Sequence, residues 1–330
     1  MRWLTAVQSQ DYTGAKWGLG QRSRRTTDAE LDRLFDDGAI LRTHVLRPTW
    51  HFVLPEDVRW MLDLTGPKIR RGLAARYREL ELDDKTFVRA HKAFTAALAG
   101  GRHLTRAELG EVLRKARIST EGQRLPHLLA NAELTGLVVS GPRHGKQFTY
   151  ALLEERAPKG RTMERSDATA ELTRRYFQSH GPAQLRDFVW WSGLTMADAR
   201  TGARLADAAL DHETIDGKEY WFDRNAGRVP DAAGVAHLLP NFDEFTVAYR
   251  DRAAIENDAA ALSSIFTNVV AIAGRVRGTW GRKVAGGSGR VEVRTMDRFM
   301  SAERALVEDA GRRYGRFLER PTEVTWSSFV

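Results

Sequence analysis

Two side-chain amides stand two residues apart near the start of the chain, in Val7-Gln8-Ser9-Gln10-Asp11, and no structural job accounts for so compact a cluster of neutral polar groups. A carboxamide both donates and accepts, so a converging pair, Gln8 with Gln10, can hold one water or one phosphate oxygen without acting as a base. On a helix, residues two apart diverge by roughly two hundred degrees; at a helix end or in an extended turn both can point to one side. Asp11, Thr13 and Gly14 follow, a composition that ends helices. That places the pair at a helix C-terminus entering a loop. The bland alternative is a pair of solvated glutamines at a frayed terminus.

The rest of the chain must supply the scaffold that positions them. With 330 residues, 42% of them hydrophobic, there is ample material for a packed core and for two or three domains. No window approaches the ~20 uninterrupted apolar residues of a membrane span, and the first residues lack the pattern of a signal peptide, so a cytoplasmic protein without membrane partners is expected. The absence of cysteine excludes disulfides and thiolate metal sites, and the nine histidines show no paired ligand spacing. Neither a metal nor a cofactor is therefore expected. The 51 Lys and Arg against 43 Asp and Glu give a net charge of +8 and an isoelectric point near 9.9. Such a balance favours polyanionic partners through counterion release, although an Arg-rich composition can also serve solubility alone.

Along the chain one pattern recurs. Thr26-Thr27-Asp28 caps a helix to about Asp37, and the runs Ile40 to Leu46 and Thr49 to Leu54 make a hairpin broken at Arg47-Pro48. A connecting helical stretch starts at Pro55-Glu56-Asp57 and continues to about Glu81. Asp83-Asp84 then caps a helix to Leu98, Thr105 and Glu108 form a capping box for a second, and a third spans about Thr120 to Glu133. A hairpin with the basic tip Gly141-Pro142-Arg143-His144-Gly145 follows. The third round runs from Ser166-Asp167 through helices near 182–191 and 195–208 to a wing at Ile215 to Asp223. Three helices and a hairpin over about 70 residues is the winged form of the helix-turn-helix plan. The expected fold class is α+β, mainly α: three tandem winged-helix units at 1–82, 83–153 and 154–233, then a β-rich domain at 234–330.

That last part carries Leu238-Leu239-Pro240-Asn241-Phe242-Asp243-Glu244-Phe245, then strands from Asn268 to Thr279 and Val291 to Thr295, a helix from Ser301 to Leu318 and a strand from Glu323 to Ser327. Residues 275–298 hold Arg275, Arg277, Arg282, Lys283, Arg290, Arg294 and Arg298 against Glu292 and Asp297. A hairpin there, turning at Gly286-Gly287-Ser288-Gly289, can lie along phosphates or enter a groove.

In this setting Leu239 to Phe245, with Tyr249-Arg250-Asp251-Arg252 behind it, resembles the bacterial tandem winged-helix proteins that include the AlkZ and YcaQ type DNA glycosylases. The early glutamine motif, Thr49-Trp50-His51 as a T-x-H segment, Asp187 to Gly193 and Gly274 to Trp280 resemble that family's landmarks in order, over nearly the whole chain. Family members usually have an aliphatic residue where Ser9 stands and a longer helical segment before the motif. The expectation is a start upstream of Met1 or a first domain lacking part of its fold.

The resemblance implies a monofunctional DNA glycosylase acting on alkylated purines, including those in interstrand crosslinks of double-stranded DNA, as a cytoplasmic, nucleoid-associated monomer. It makes Gln8 and Gln10 the catalytic candidates. Alkylation already turns the purine into a cationic leaving group, so the protein has to place water at C1′ and stabilise oxocarbenium character. Candidate DNA contacts are Thr49, His51, Arg143, Arg275, Arg277, Arg282, Lys283 and Arg290. His51 is alternatively a strand histidine packed beside Trp50, and Trp190-Trp191 are core rather than base-stacking residues. Asp11 is a conceivable electrostatic supplement or a plain turn residue; Asp243 and Glu244 suggest paired carboxylates or a structural role. The competing functions are a DNA-binding module without catalysis and a drug-sequestering self-resistance protein.

Overall fold

The computed structural model describes residues 1–227, 234–255, 267–285, 287–295 and 298–328. The chain opens with β1 (Ala6–Gln8), α1 (Tyr12–Gln21), α2 (Asp28–Asp36), β2 (Leu41–His44) and β3 (Trp50–Val53), followed by α3 (Val58–Gly72) and α4 (Ala74–Glu79). Next come α5 (Asp84–Leu98), β4 (Leu104–Thr105), α6 (Arg106–Lys115), α7 (Arg124–Leu134), β5 (Val138–Ser140), β6 (Thr149–Leu152) and the single turn α8 (Leu153–Arg156). Then follow α9 (Arg165–His180), α10 (Leu185–Ser192), α11 (Met196–Leu205), β7 (Leu210–Ile215) and β8 (Lys218–Asp223). The remainder is β9 (Ala236–Leu239), α12 (Glu244–Val247), β10 (Val269–Ile272), β11 (Arg275–Ala285), β12 (Ser288–Thr295), α13 (Ser301–Leu318) and β13 (Thr322–Ser328). The fold is mixed α and β, with more residues in helices than in strands.

By packing, the chain divides into two compact units: Met1–Val7 with Leu34–Arg224, and Gln8–Arg33 with Asn225–Val330. The first is built on local capping and apolar faces. Asp83 caps α5 through the Thr86 N–H, and Thr105 with Glu108 closes the expected capping box on α6. These helices and α7 bury Phe87, Phe94, Leu98, Leu109, Leu113, Leu128 and Leu129 in one cluster. Each such side chain contributes roughly 1.5–3 kcal/mol by leaving water. Beside them β4, β6 and β5 pair in that order. A second aromatic cluster joins Tyr176 and Phe177 of α9 to Phe188 and Trp191 of α10. Of the two tryptophans expected in the core, Trp191 is fully buried, whereas Trp190 is 38% exposed. Gly193 closes α10 at φ +70°, where a Cβ would lie 2.3 Å from the Leu46 carbonyl oxygen.

The second unit centres on a five-stranded sheet in the order β13-β12-β11-β10-β9. Neighbours are antiparallel except β12 and β13, which run parallel because α13 crosses between them. Gly311 lets α13 settle on β13, since a Cβ there would be 2.3 Å from Val324. The expected strand from Asn268 to Thr279 is in fact two, reversed at Ala273-Gly274, both with positive φ. Gly286 and Asp297, expected at the tip and base of the basic hairpin, lie outside the described residues. Among the described residues no helix is long and apolar enough to cross a membrane.

Candidate active site

The glutamine segment folds the opposite way from the reading of its composition. Gln8 ends a strand rather than a helix, and Asp11 begins a helix rather than stopping one: its carboxylate accepts the Gly14 N–H at 3.0 Å and caps α1. Asp, Thr and Gly serve both helix ends, and the buried surface of α1 masks the amphipathic pattern that would have announced a helix. Tyr12 and then Gly14 through Leu19 are all buried. Gly14 and Gly18 let Pro240 approach to 3.1 and 3.7 Å of where a Cβ would be, and at Gly20 a Cβ would sit 2.6 Å from Phe317. Trp17 fixes the same helix within the second unit, donating its indole N–H to the Leu238 carbonyl at 2.6 Å and meeting Tyr314 and Phe317 at centroid distances of 4.9 and 5.2 Å.

The two glutamines occupy different environments. Gln8 is 6% exposed, Ser9 has no exposed surface, and Gln10 is exposed in the bend before α1. Ser9 thus holds the interior position that suits an aliphatic residue. The Gln8 side-chain oxygen is buried and finds no hydrogen-bond partner among the described residues. Its backbone N–H, by contrast, donates to Oε1 of Glu244 at 3.0 Å. Glu244 is 2% exposed.

Glu244 opens α12, and the residue before it does the anchoring. Asp243 caps α12 through the Phe245 N–H and receives both terminal nitrogens of Arg22 at 2.9 and 2.6 Å. Burial works against the Arg22 charge, but Asp243 foremost and then Glu244 hold its guanidinium above the ordinary arginine range. Phe242 bends the chain through φ +59°, and the Asn268 side chain ties Asn241 to the Trp280 carbonyl. On α1, Lys16 is buried between Asp28 and Asp32, each at 2.8 Å, and Asp11 meets Arg282 at 2.6 Å. Gln8, Asp11, Arg22, Asp243, Glu244 and Arg282 therefore belong to one compact unit. Sequence reasoning singled out most of them but not the Gln8 to Glu244 bond, whose partners are 236 residues apart.

The candidate DNA contacts separate by strand alternation. On β11 Arg282 follows the inward face of Trp280 and is partly exposed, paired with Asp11 at the N-terminus of α1. Lys283 pairs in register with Arg290; both are exposed, with carboxylate partners Glu292 at 2.7 Å and Glu323 at 2.6 Å. Arg275 is exposed, while Arg277 bonds Glu303 at 2.8 Å and lies over Phe299. In the first unit Arg143 is partly buried, its backbone N–H donating to Asp36. Thr49 is half-buried. His51 has no exposed surface, and its Nδ1 lies 3.0 Å from the Thr49 carbonyl.

No curated protein matches the sequence. The fold is similar to that of the Streptomyces sahachiroi DNA glycosylase AlkZ, with a TM-score of 0.75 at 18% sequence identity, over 98% of this chain and 92% of that one. The family model described as DNA glycosylase AlkZ-like matches residues 1–317. With that match running through both units and across the glutamine segment, the chain belongs to the AlkZ-like DNA glycosylase family.

Proposed function

We propose that this DNA glycosylase hydrolyses the N-glycosidic bond of alkylated purines in double-stranded DNA, interstrand crosslinks included, with Gln8 and Gln10 placing the attacking water. The observation that carries the reading is the Gln8 side-chain oxygen. A buried polar atom without a partner costs about 1–3 kcal/mol, and such an atom at the motif that resembles the family's catalytic segment is suited to receive a hydrogen bond from substrate or water. Gln10, exposed two residues on, can complete the grip once DNA covers it. The reaction attaches the oxygen of water at C1′, breaks the bond to the base nitrogen, leaves the bonding pair on a purine that was cationic and departs neutral, and releases the water's proton to solvent; no lysine nucleophile is required.

The element order supports a scaffold of three winged helices. The clearest is α5, β4, α6, α7 and the β5–β6 hairpin, in which β4 adds a third strand. From α9 to β8 the same order appears, with the Ala183 to Trp221 bridge in place of that strand. The first begins at β1 and runs through α1 and α2 to the β2–β3 hairpin. The β11–β12 hairpin would hold phosphates.

The test is release of free base from duplex DNA carrying 7-methylguanine. The wild-type chain should release it with time, and Gln8→Ala should bind the duplex normally yet slow single-turnover release by about 10- to 100-fold, the penalty for losing one positioned group. Gln10→Ala should fall in the same direction. No release from any alkylated or crosslinked duplex, or release by Gln8→Ala at the wild-type rate, would overturn the proposal.

A further inference from the structure

We infer that the α1–α2 loop and the C-terminal half of α13 form a second surface for the phosphodiester backbone of DNA, which takes a segment other than the one held at the β11–β12 hairpin. Two recesses flank the last turns of α13. One, of about 550 Å³, is walled by Arg24, Arg25, Arg313 and Arg316 over the buried rings of Trp17 and Phe317. The other adds Arg312 and Arg320 beside Arg316. These six arginines share the walls with a single carboxylate, Glu319, in a chain whose cations and anions are otherwise nearly balanced at 51 to 43. Asp309 engages Arg312 and Arg313. Arg24, Arg25 and Arg316 are exposed, and among the described residues no carboxylate pairs with them.

Like charges gathered this closely repel one another and draw a polyanion to the surface. An independent pointer is Gln21, which lines the larger recess and whose Nε2 is buried without a hydrogen-bond partner among the described residues. A phosphate oxygen would accept from it. Guanidinium forks match phosphate oxygens two at a time, which favours a nucleic-acid backbone over the acidic side chains of a protein. Strand alternation then separates this surface from the hairpin. Trp280 meets Tyr314 at a centroid distance of 5.5 Å, so α13 covers the face of the sheet to which Trp280 points. Lys283, three residues on, and its register partner Arg290 point to the opposite face. DNA is stiff over a persistence length of about 150 base pairs, so a duplex lying along the hairpin does not turn round the sheet to reach α13. The arginine recesses are left to a second segment.

The test is bridging of two duplexes, one carrying a donor dye and the other an acceptor, by single chains tethered sparsely to a surface. Arg24→Ala, Arg25→Ala and Arg316→Ala together remove the three unpaired charges, and lysine at the same three positions retains them. Wild type should give energy transfer between the duplexes. The alanine variant should hold the first duplex and unfold as wild type does, yet bind the second on the order of 10-fold or more weakly, with the slope of log affinity against log salt flatter by about three. The lysine variant should bridge. Absence of transfer with wild type at every ratio of duplex to chain, or transfer by the alanine variant at the wild-type level, would overturn the second surface. So would polyglutamate displacing the second duplex as well as competitor DNA does at equal charge, which would assign the arginines to an acidic polypeptide. Should the triple variant fail to fold, Arg24→Ala alone with an unchanged salt slope would overturn it equally. Bridging needs no catalysis, so a wild type inactive on every alkylated duplex removes the proposed function and leaves this measurement intact.

Discussion

Asp243, 4% exposed, caps α12 and pairs with both arms of Arg22. Removing one partner of such a pair leaves the other charge without its solvent or its counterion. Breaking a fully buried pair costs about 3–5 kcal/mol, and the side chain of Arg22, 31% exposed, recovers part of that in water. Asp243→Asn should therefore destabilise by roughly 2–4 kcal/mol, read as faster hydrogen exchange in α1 and a lower urea midpoint for that unit; an unchanged midpoint would show the pair to be solvated. At this scale the sequence was legible in residue types and silent on partners. The run from Leu239 to Phe245 stood out as a landmark, and the Thr105 to Glu108 box was readable because its members are three apart. Gln8 with Glu244 and Arg22 with Asp243 were not readable, since chain separation carries no local periodicity. The burial of His51 and the pairing of Arg282 with Asp11 were not readable either, since a polar type in a basic or motif context says nothing of whether its strand turns it inward.

Strand alternation makes the β11–β12 hairpin two surfaces rather than one basic ribbon. Trp280 and Arg282 point with the interior, while Lys283, Arg290 and Arg294 line the outer side with Glu292 among them. Solvent screens exposed ion pairs of this kind, so a phosphate can displace the carboxylate at little cost. Lys283→Ala with Arg290→Ala should weaken duplex binding across all sequences and flatten the dependence of log affinity on log salt by about two. An unchanged slope would move the phosphate surface away from this hairpin. Arg282→Ala would instead loosen the capping aspartate of α1, and belongs with the folding experiments. Elements with strong caps, α5 and α6, fell within a few residues of their sequence expectation. Helix α1 was missed because it is buried nearly all round and glycine-rich, and both properties erase the amphipathic signal.

In the whole molecule, Gln8 to Arg33 clusters with residues from 225 onward. The indole of Trp17 depends on Leu238, Tyr314 and Phe317 for its hydrogen bond and its ring contacts. A chain cut after Arg224 should keep a cooperative transition from the first unit, but lose protection of the α1 amides and all base release. Protected α1 amides in the shortened chain would mean the helix is held by other contacts. The four sequence divisions expected from repetition do not show this arrangement, because repetition reports ancestry of pattern and packing reports which surfaces are apolar.

The discontinuity of that unit also has a meaning in time. On the ribosome the glutamine segment emerges long before its partners: Glu244 follows Gln8 by 236 residues, roughly 10–50 s at typical rates of synthesis. Throughout that interval α1 is an unsupported ten-residue helix, too short to persist alone. A prematurely terminated polypeptide thus lacks the partners that hold the glutamine segment and α1 in place.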